Sequence, residues 1–562
     1  MGLDPLTLFK GGVKLAERAG DEAYFAALCV RSGMVGIEPP RRLAQMLLAF
    51  ERYGMIGAAA EVGAIRHGDR AAVIDERGQL SYKGLDEHSN AIANAWRGHG
   101  LEPGEGVAIL VRNHRGFLES VSAAAKCGAR IILLNTSFAG PQIREVAERE
   151  GTHLLVYDDE YSEILEGIGA PPRGRYRAWA DERGDDTLDA LISAGDVKGP
   201  PRPGIEARIT ILTSGTTGTP KGAPRSSPKS LGLLGGLLSK VPFKAGEVTE
   251  LSVPMFHALG FAQAFVGIGL GSTLVMRRRF DPEQTLESLE RHRATAMVMV
   301  PVMLQRTLEL GEAKIKDHDL SSLRIIFVSG SALPADVTRR ALRAFGPVIY
   351  NLYGSTEVSY ATIATPDDLK DDPSTVGEVV RGSVVKIFDE DGRELPAGET
   401  GRIFVGNLSQ FEGYTGGGGK AEIQGLISSG DVGHFDAKGR LYIDGRDDEM
   451  IISGGENVFP AEVEELLAGH EQIEEAAVIG VEDEEFGQRL KAFVVKRGDA
   501  LSEDDVKNYV KENLARYKAP RDVVFVDHLP RNATGKILKR QLAEPGERGA
   551  NGSNQSQGAT AG

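Results

Sequence analysis

Residues Thr213–Gly222 read TSGTTGTPKG and follow directly on the apolar run Ile209–Leu212. A strand thus delivers the chain into a loop of small, hydroxylated and glycine residues that ends in Pro220-Lys221. Such a loop presents backbone N–H groups and hydroxyls with no bulk in the way, and Lys221 adds a movable cation; proteins grip polyphosphates in this manner. Thr213, Ser214, Gly215, Thr216, Thr217, Gly218 and Lys221 are therefore candidate phosphate-binding residues. The loop is not of the Walker type, which would need glycine at Pro220 and Ser or Thr at Gly222. Gly and Thr alone would also suit an idle surface loop, but this order of residues after a strand argues against that.

Outward from this loop, short apolar runs alternate with amphipathic ones. Gly106–Val111, Arg130–Leu134, Ala296–Val300, Arg324–Ser329 and Pro347–Asn351 read as buried strands, with helices over Gly116–Lys126 and Pro334–Phe345. That rhythm predicts an α/β protein with parallel sheets. After Gly382 the texture changes. Val384–Phe388 and Gly401–Val405 are strands around Asp391-Gly392, a hairpin signal, and predict a smaller β-rich subdomain. Past a boundary near Gly445 come a helix (Glu462–Leu467), two strands (Ala476–Val481, Leu490–Val495) and a helix (Asp504–Leu514), a small α+β unit. The expected organisation is an N-terminal helical extension (1–60), a large domain (61–444), a small mobile C-terminal domain (445–542) and a Gly-, Ser-, Asn- and Gln-rich disordered tail (543–562). In the extension, Leu43, Met46, Leu47 and Phe50 recur at helical spacing, which suits a helix packed on the body, with a membrane-touching face as the alternative.

The chain of 562 residues carries 65 Lys and Arg against 80 Asp and Glu, a formal charge of -15. That excludes a basic nucleic-acid binder, and means that any anionic ligand is held by a few placed cations. Two cysteines, Cys29 and Cys127, support no disulfide framework or multi-Cys metal site. Tyr24–Val30 is apolar but short, and follows Asp21 and Glu22, unlike a signal peptide. Gly260–Met276 contains Gln263, Ser272 and Thr273 and falls short of the ~20 apolar residues of a spanning helix; it reads as a core helix followed by a strand. No transmembrane segment and a cytoplasmic location are expected.

Four more stretches carry chemistry. Tyr353-Gly354-Ser355-Thr356-Glu357 would hold a carboxylate after a strand and a tight turn, at the edge where α/β proteins bind ligands. Ser429-Gly430-Asp431 offers a carboxylate that can accept two hydrogen bonds from vicinal hydroxyls, and Gly445-Arg446-Asp447-Asp448 an always-charged fork. Asn532-Ala533-Thr534-Gly535-Lys536 ends in a lysine beside Lys539 and Arg540. Together with TSGTTGTPKG, these five ordered stretches resemble the motifs of the adenylate-forming (AMP-binding) superfamily. The similarity spans roughly Ala71 to Leu542 and looks most like the fatty-acid–CoA ligases.

The resemblance implies roles residue by residue. ATP would lie on the glycine-rich loop, with Gly330, Ser331 and Ala332 and with Asn351, Leu352, Tyr353, Gly354 and Ser355 framing the adenine, Tyr353 offering a stacking face, and Asp431 and Arg446 on ribose or phosphate. Glu357 and Thr216 would hold Mg²⁺, with Thr356 beside them. Lys536 would neutralise the charges that meet when a carboxylate attacks the α-phosphate. Asp448 would be the hinge between two half-reactions, and His257 would sit at the mouth of the acyl pocket. Ser453, Gly454, Gly455, Glu456 and Asn457 would let the pantetheine arm of CoA pass. Ile452 stands where carrier-loading relatives tend to have lysine, which points toward CoA. Ser429 replaces a usual threonine, Ser227 a frequent histidine, and Gly416–Gly419 is expected to be a mobile loop. Phe256, Gly260, Phe261, Phe265 and Gly330 suit an aliphatic chain. The implied function is ATP-dependent conversion of a medium- to long-chain fatty acid to acyl-AMP and then acyl-CoA. Its alternatives are an acyl-AMP ligase that loads a carrier protein and a non-catalytic acyl-binding protein. The expected partners are these small molecules, with room for weak peripheral membrane contact.

Overall fold

The computed structural model describes residues 20–542 apart from 167–168, 183, 214–220, 226–229, 408–412, 416–418, 450, 454–455, 484–486, 499, 515–517 and 533–534. Ser214, Gly215, Thr216, Thr217, Gly218, Ser227, Gly416–Gly418, Gly454, Gly455 and the tail therefore lie outside the described residues.

Strands buried along their whole length organise the large domain. Gly106–Leu110, Ala296–Met299 and Ile325–Val328 are buried at every position, as continuous apolar runs must be when helices cover both faces of a parallel sheet. One sheet runs Arg175–Trp179, Thr152–Asp158, Gly106–Leu110, Arg130–Leu133 and Arg208–Thr213, all parallel, closed by antiparallel Lys221–Arg225. A second has a parallel centre of Ala71–Asp75, Thr273–Val275, Val248–Leu251, Ala296–Met299, Ile325–Val328 and Ile349–Ser355. One apolar core spans both, with Trp96, Phe117 and Phe327 fully enclosed. Helix Ala258–Gly269 and strand Thr273–Val275 form the expected pair.

The β-rich part is not a separate layer. Ser359–Ala364, Gly377–Val379, Arg440–Arg446, Leu426–Phe435, Gly401–Asn407 and Ser383–Phe388 add antiparallel strands, in that order, to the edge at Ile349–Ser355. The tight turn expected over Tyr353–Thr356 is displaced as a result: Tyr353–Ser355 belong to the strand, which turns back through 356–358 to pair Ser355 with Ser359. A side chain at Gly354 would collide with the carbonyl of Ser359, so the hairpin needs glycine there.

The small domain pairs Ile473–Asp483 with Gly487–Lys496, adds Asp522–Phe525 in parallel, and covers them with helices Pro460–Ala468 and Glu503–Asn513. Val463, Leu467, Val478, Val494, Val506 and Val510 make its own core.

The N-terminal helix forms over Pro40–His67, broken at Gly54 (φ 69°). Its packing corrects the sequence expectation. Ala49 and Tyr53 are buried, but Leu43, Leu47 and Phe50 face outward at 47%, 60% and 38% exposure. Periodicity identified a stripe; the buried one lies beside it. Among the described residues, no helix is long and apolar enough to cross a membrane.

Candidate active site

The parallel strands deliver their carboxyl ends to one edge, and the candidate residues gather there. Beyond Ile325–Val328, the Ser329 hydroxyl donates to the Leu352 carbonyl at 2.8 Å, binding the Gly330–Ala332 turn to the neighbouring strand that carries Asn351 and Leu352. Asn351 and Leu352 are buried, whereas Gly330 and Ala332 stay exposed at the edge. Gly330 abuts Val300: a Cβ there would stand 3.2 Å from its Cγ1.

Asp431 and Arg446 face each other across paired strands, with Arg446 Nη1 2.8 Å from Asp431 Oδ1. The Tyr353 hydroxyl donates to Asp431 Oδ2 at 2.6 Å. Burial, and then the charge of Asp431, raise that phenol well above the ordinary tyrosine range. Tyr353 thus orients Asp431 through its hydroxyl. Both oxygens of Asp431 already have donors, Tyr353 and Arg446. Ser429 performs the service of a threonine: its Oγ donates to the Ile403 carbonyl and accepts from the Asp431 N–H, both at 3.1 Å.

Glu357 sits in the 356–358 turn beside half-buried Thr356. Ser355 Oγ donates to Glu357 Oε2 at 2.9 Å while accepting the backbone N–H groups of Glu357 and Val358. Tyr414 donates its hydroxyl to Oε1 at 2.7 Å. The next residue reaches the hairpin of the candidate phosphate loop, in which Thr213 pairs with Lys221. Thr415 accepts from Gly222 N at 3.1 Å and donates to Glu150 Oε1 at 2.7 Å. Its own N–H donates to the Gly222 carbonyl at 2.8 Å. Glu150 is 3% exposed and paired with Arg149 at 2.9 Å. Residues 414–415 therefore tie the Glu357 carboxylate and Gly222, at the exit of the candidate phosphate loop, to one short segment. Tyr414, Thr415 and Glu150 were not foreseen; the Tyr-Thr pair just ahead of the Gly416–Gly419 run was the available signal.

From the small domain, the Asn532–Lys536 loop is closed by Lys536 N donating to Asn532 Oδ1 and Asn532 N donating to the Lys536 carbonyl, both at 2.9 Å. Gly535 adopts φ 77° and lies so close to Val302 that any Cβ would collide with it. Val302 is two residues from Val300, which touches Gly330, so exposed Lys536 is carried at the same edge. Lys539 has another task. It pairs with Glu449 of the Asp447–Glu449 turn at 2.8 Å and with Glu464 at 2.9 Å. Burial lowers this ammonium's pKa, but the two glutamates outweigh that and hold it above the usual lysine range. Asp448 lies in that turn, and Ser453 pairs with Glu456 in the hairpin that follows and carries Asn457.

His257 precedes helix Ala258–Gly269, its ring 4.4 Å from that of Phe256. Burial lowers its pKa to about 4, which leaves it neutral at pH 7. His257 Nε2, Ser252 Oγ and Gln263 Nε2 are buried with no hydrogen-bond partner among the described residues. Phe261 stacks on Phe265 at 4.7 Å, and both Gly260 and Phe261 are packed in the core.

Residues 61–415 match the AMP-binding enzyme family and residues 462–536 the AMP-binding enzyme C-terminal domain. Feruloyl-CoA synthase of Amycolatopsis sp is 32% identical over 492 residues, 85% of this chain and 95% of that protein. Fatty acid–[acyl-carrier-protein] ligase ScoC of Streptomyces coeruleorubidus is 30% identical over 492 residues, 84% and 93% of the two chains. ATP-bound MatB of Rhodopseudomonas palustris superposes with a TM-score of 0.75 at 27% identity, covering 84% of this chain and 95% of its own. The apo form of MatB, with the same coverage, gives 0.66.

Proposed function

The chain belongs to the AMP-binding enzyme family and is an adenylate-forming ligase, and on that premise we propose that it converts a medium- to long-chain fatty acid to its acyl-CoA. The observation that carries the reading is the seating of the Lys536 loop on Val302, beside the Gly330 turn and on the edge that holds Asp431 and Glu357. A closer fit to ATP-bound than to apo MatB supports the same arrangement of the lid.

In the first half-reaction a carboxylate oxygen bonds to the α-phosphorus as the α–β anhydride breaks and pyrophosphate leaves. Lys536 stands between the two anions, where a compact ammonium stabilises the charge that develops. Asp431, steered by Tyr353 and Arg446, takes the ribose. In the second, the CoA thiol gives up its proton to solvent, its sulfur bonds to the acyl carbonyl carbon, and the bond from that carbon to the phosphate oxygen breaks as AMP departs.

Glu357 suits Mg²⁺ arriving with ATP: it is a hard oxygen donor, fixed by two hydroxyls, with no ion pair among the described residues. No cluster of three or more His, Cys, Asp or Glu able to hold a metal occurs among those residues, in keeping with an ion ligated mainly by phosphate and water. When bound, the ion would neutralise phosphate charge. Tyr414→Phe removes one of the two donors that hold Glu357. A hydrogen bond to a charged group is worth about 1.5 kcal/mol, so KM for ATP should rise about tenfold with little change in kcat. Calorimetry should show the same loss in Mg²⁺-dependent ATP binding; an unchanged isotherm would remove Tyr414 from this role.

The aliphatic assignment rests on Phe256, Phe261 and Phe265 and on the likeness to ScoC. The orphaned polar atoms of Ser252, His257 and Gln263 favour a second reading, an aryl acid with a hydrogen-bonding substituent. A panel of fatty, aryl and hydroxyaryl acids, scored by AMP release with and without CoA, separates the two. Thioester from saturated C8–C18 acids supports the first reading, and turnover confined to hydroxyaryl acids replaces it. AMP release that needs a carrier protein instead of CoA overturns the acceptor.

A further inference from the structure

Nine of the thirteen large apolar side chains exposed among the described residues lie between Tyr24 and Met55. Val35 and Ile37 stand on the connection between the helix over 20–32 and the one that starts at Pro40, and Ile37 is wholly exposed. Leu43, Leu47 and Phe50 then recur at i, i+4 and i+7, beside the stripe of Ala49 and Tyr53 that anchors the helix to the body. The break at Gly54 ends this first half of the helix, which packs by Ala49 and Tyr53 and leaves Leu43, Leu47 and Phe50 facing outward. All of it precedes residue 61, where the match to the family begins. The catalytic fold therefore does not account for this face.

We infer that residues 24–55 form a docking face for an anionic lipid surface. Charge selects this occupant. Residues 20–55 hold four arginines and four acids in a chain of net charge -15. Each acid is already satisfied within the protein. Asp21 pairs with Arg381, Glu38 with Arg66, and Glu51 with Arg202, and Glu22 accepts from the Ser230 hydroxyl and the Leu231 N–H. Arg31 and Arg41 are exposed, with no carboxylate partner among the described residues. What the face presents is apolar side chains flanked by unpaired cations, the composition of an interfacial helix on anionic lipid. The acidic remainder of the molecule is repelled by the same surface, which fixes the docking orientation. A second copy fits less well, because a two-fold contact sets a patch against its own likeness and would bring these arginines together.

The test uses the full chain and vesicles of phosphatidylcholine with or without phosphatidylglycerol, read by co-sedimentation, with light scattering for mass. Wild type should bind the phosphatidylglycerol vesicles. Leu43→Asp/Leu47→Asp and Arg31→Glu/Arg41→Glu should each weaken binding more than about tenfold at an unchanged unfolding temperature. None of these residues belongs to the ATP site, so the outcome is independent of which acid is activated. Wild type that ignores anionic vesicles, or Leu variants that bind as well as wild type, would overturn the inference. A dimer that the Leu variant dissociates, with no vesicle binding by wild type, would assign the face to a second copy instead.

Discussion

Lys536→Ala should abolish carboxylate-dependent ATP–pyrophosphate exchange, lowering its rate by about 100- to 1,000-fold, the usual effect of deleting one preorganised charge-stabilising group. Thioester formation from supplied acyl-AMP should be nearly unchanged. The asymmetry follows from where charge meets charge: two anions approach only in the first step. The lysine's loop is fixed by its own turn and by Gly535 on Val302, so truncating an exposed side chain leaves the loop in place. Equal losses in both assays would mean that Lys536 supports the lid as a whole, and the assignment would fail.

Asp448→Pro should have the opposite signature. Exchange should stay within about threefold of wild type, while CoA thioester formation falls at least ~10-fold, as for hinge changes that block a required closure. Asp448 lies in the Asp447–Glu449 turn between Arg440–Arg446, paired into the large sheet, and Ile451–Ser453 of the lid. Proline fixes φ and removes the N–H, so it holds the turn in one conformation. Lys539 binds Glu449 to Glu464, which makes the lid side of this turn a charged unit that moves as one piece. Single-turnover measurement of the two half-reactions decides the matter: thioester formation at the wild-type rate would move the pivot elsewhere.

The α/β architecture was legible because parallel strands buried on both faces leave unbroken apolar runs such as Ala296–Met299, which few other structures require. The Tyr353–Ser355 stretch misled because glycine and serine suit turns, whereas the strand there continues by way of a close approach at Gly354. On the N-terminal helix, spacing revealed a stripe but not what covers it: Leu43, Leu47 and Phe50 have the pattern of a core face and none of the cover. Asp431, Arg446 and Glu357 could be singled out because each lies in a short local motif. The links of Tyr414 to Glu357 and of Thr415 to Glu150 and Gly222 could not, since they join segments up to 265 residues apart that only the folded sheets bring together.

The unbroken sheet has a mechanical meaning. The strand proposed to frame the adenine, Ile349–Ser355, is three ladder steps from Arg440–Arg446, the strand that leads into the proposed hinge. At about 4.8 Å per step the two are separated by about 14 Å of continuous hydrogen-bonded ladder. A pivot mounted on that ladder is an axle set in the same rigid frame as its load. On the proposed mechanism the lid would exchange one half-reaction for the other while the bearing, and a nucleotide bound beside it, stay still.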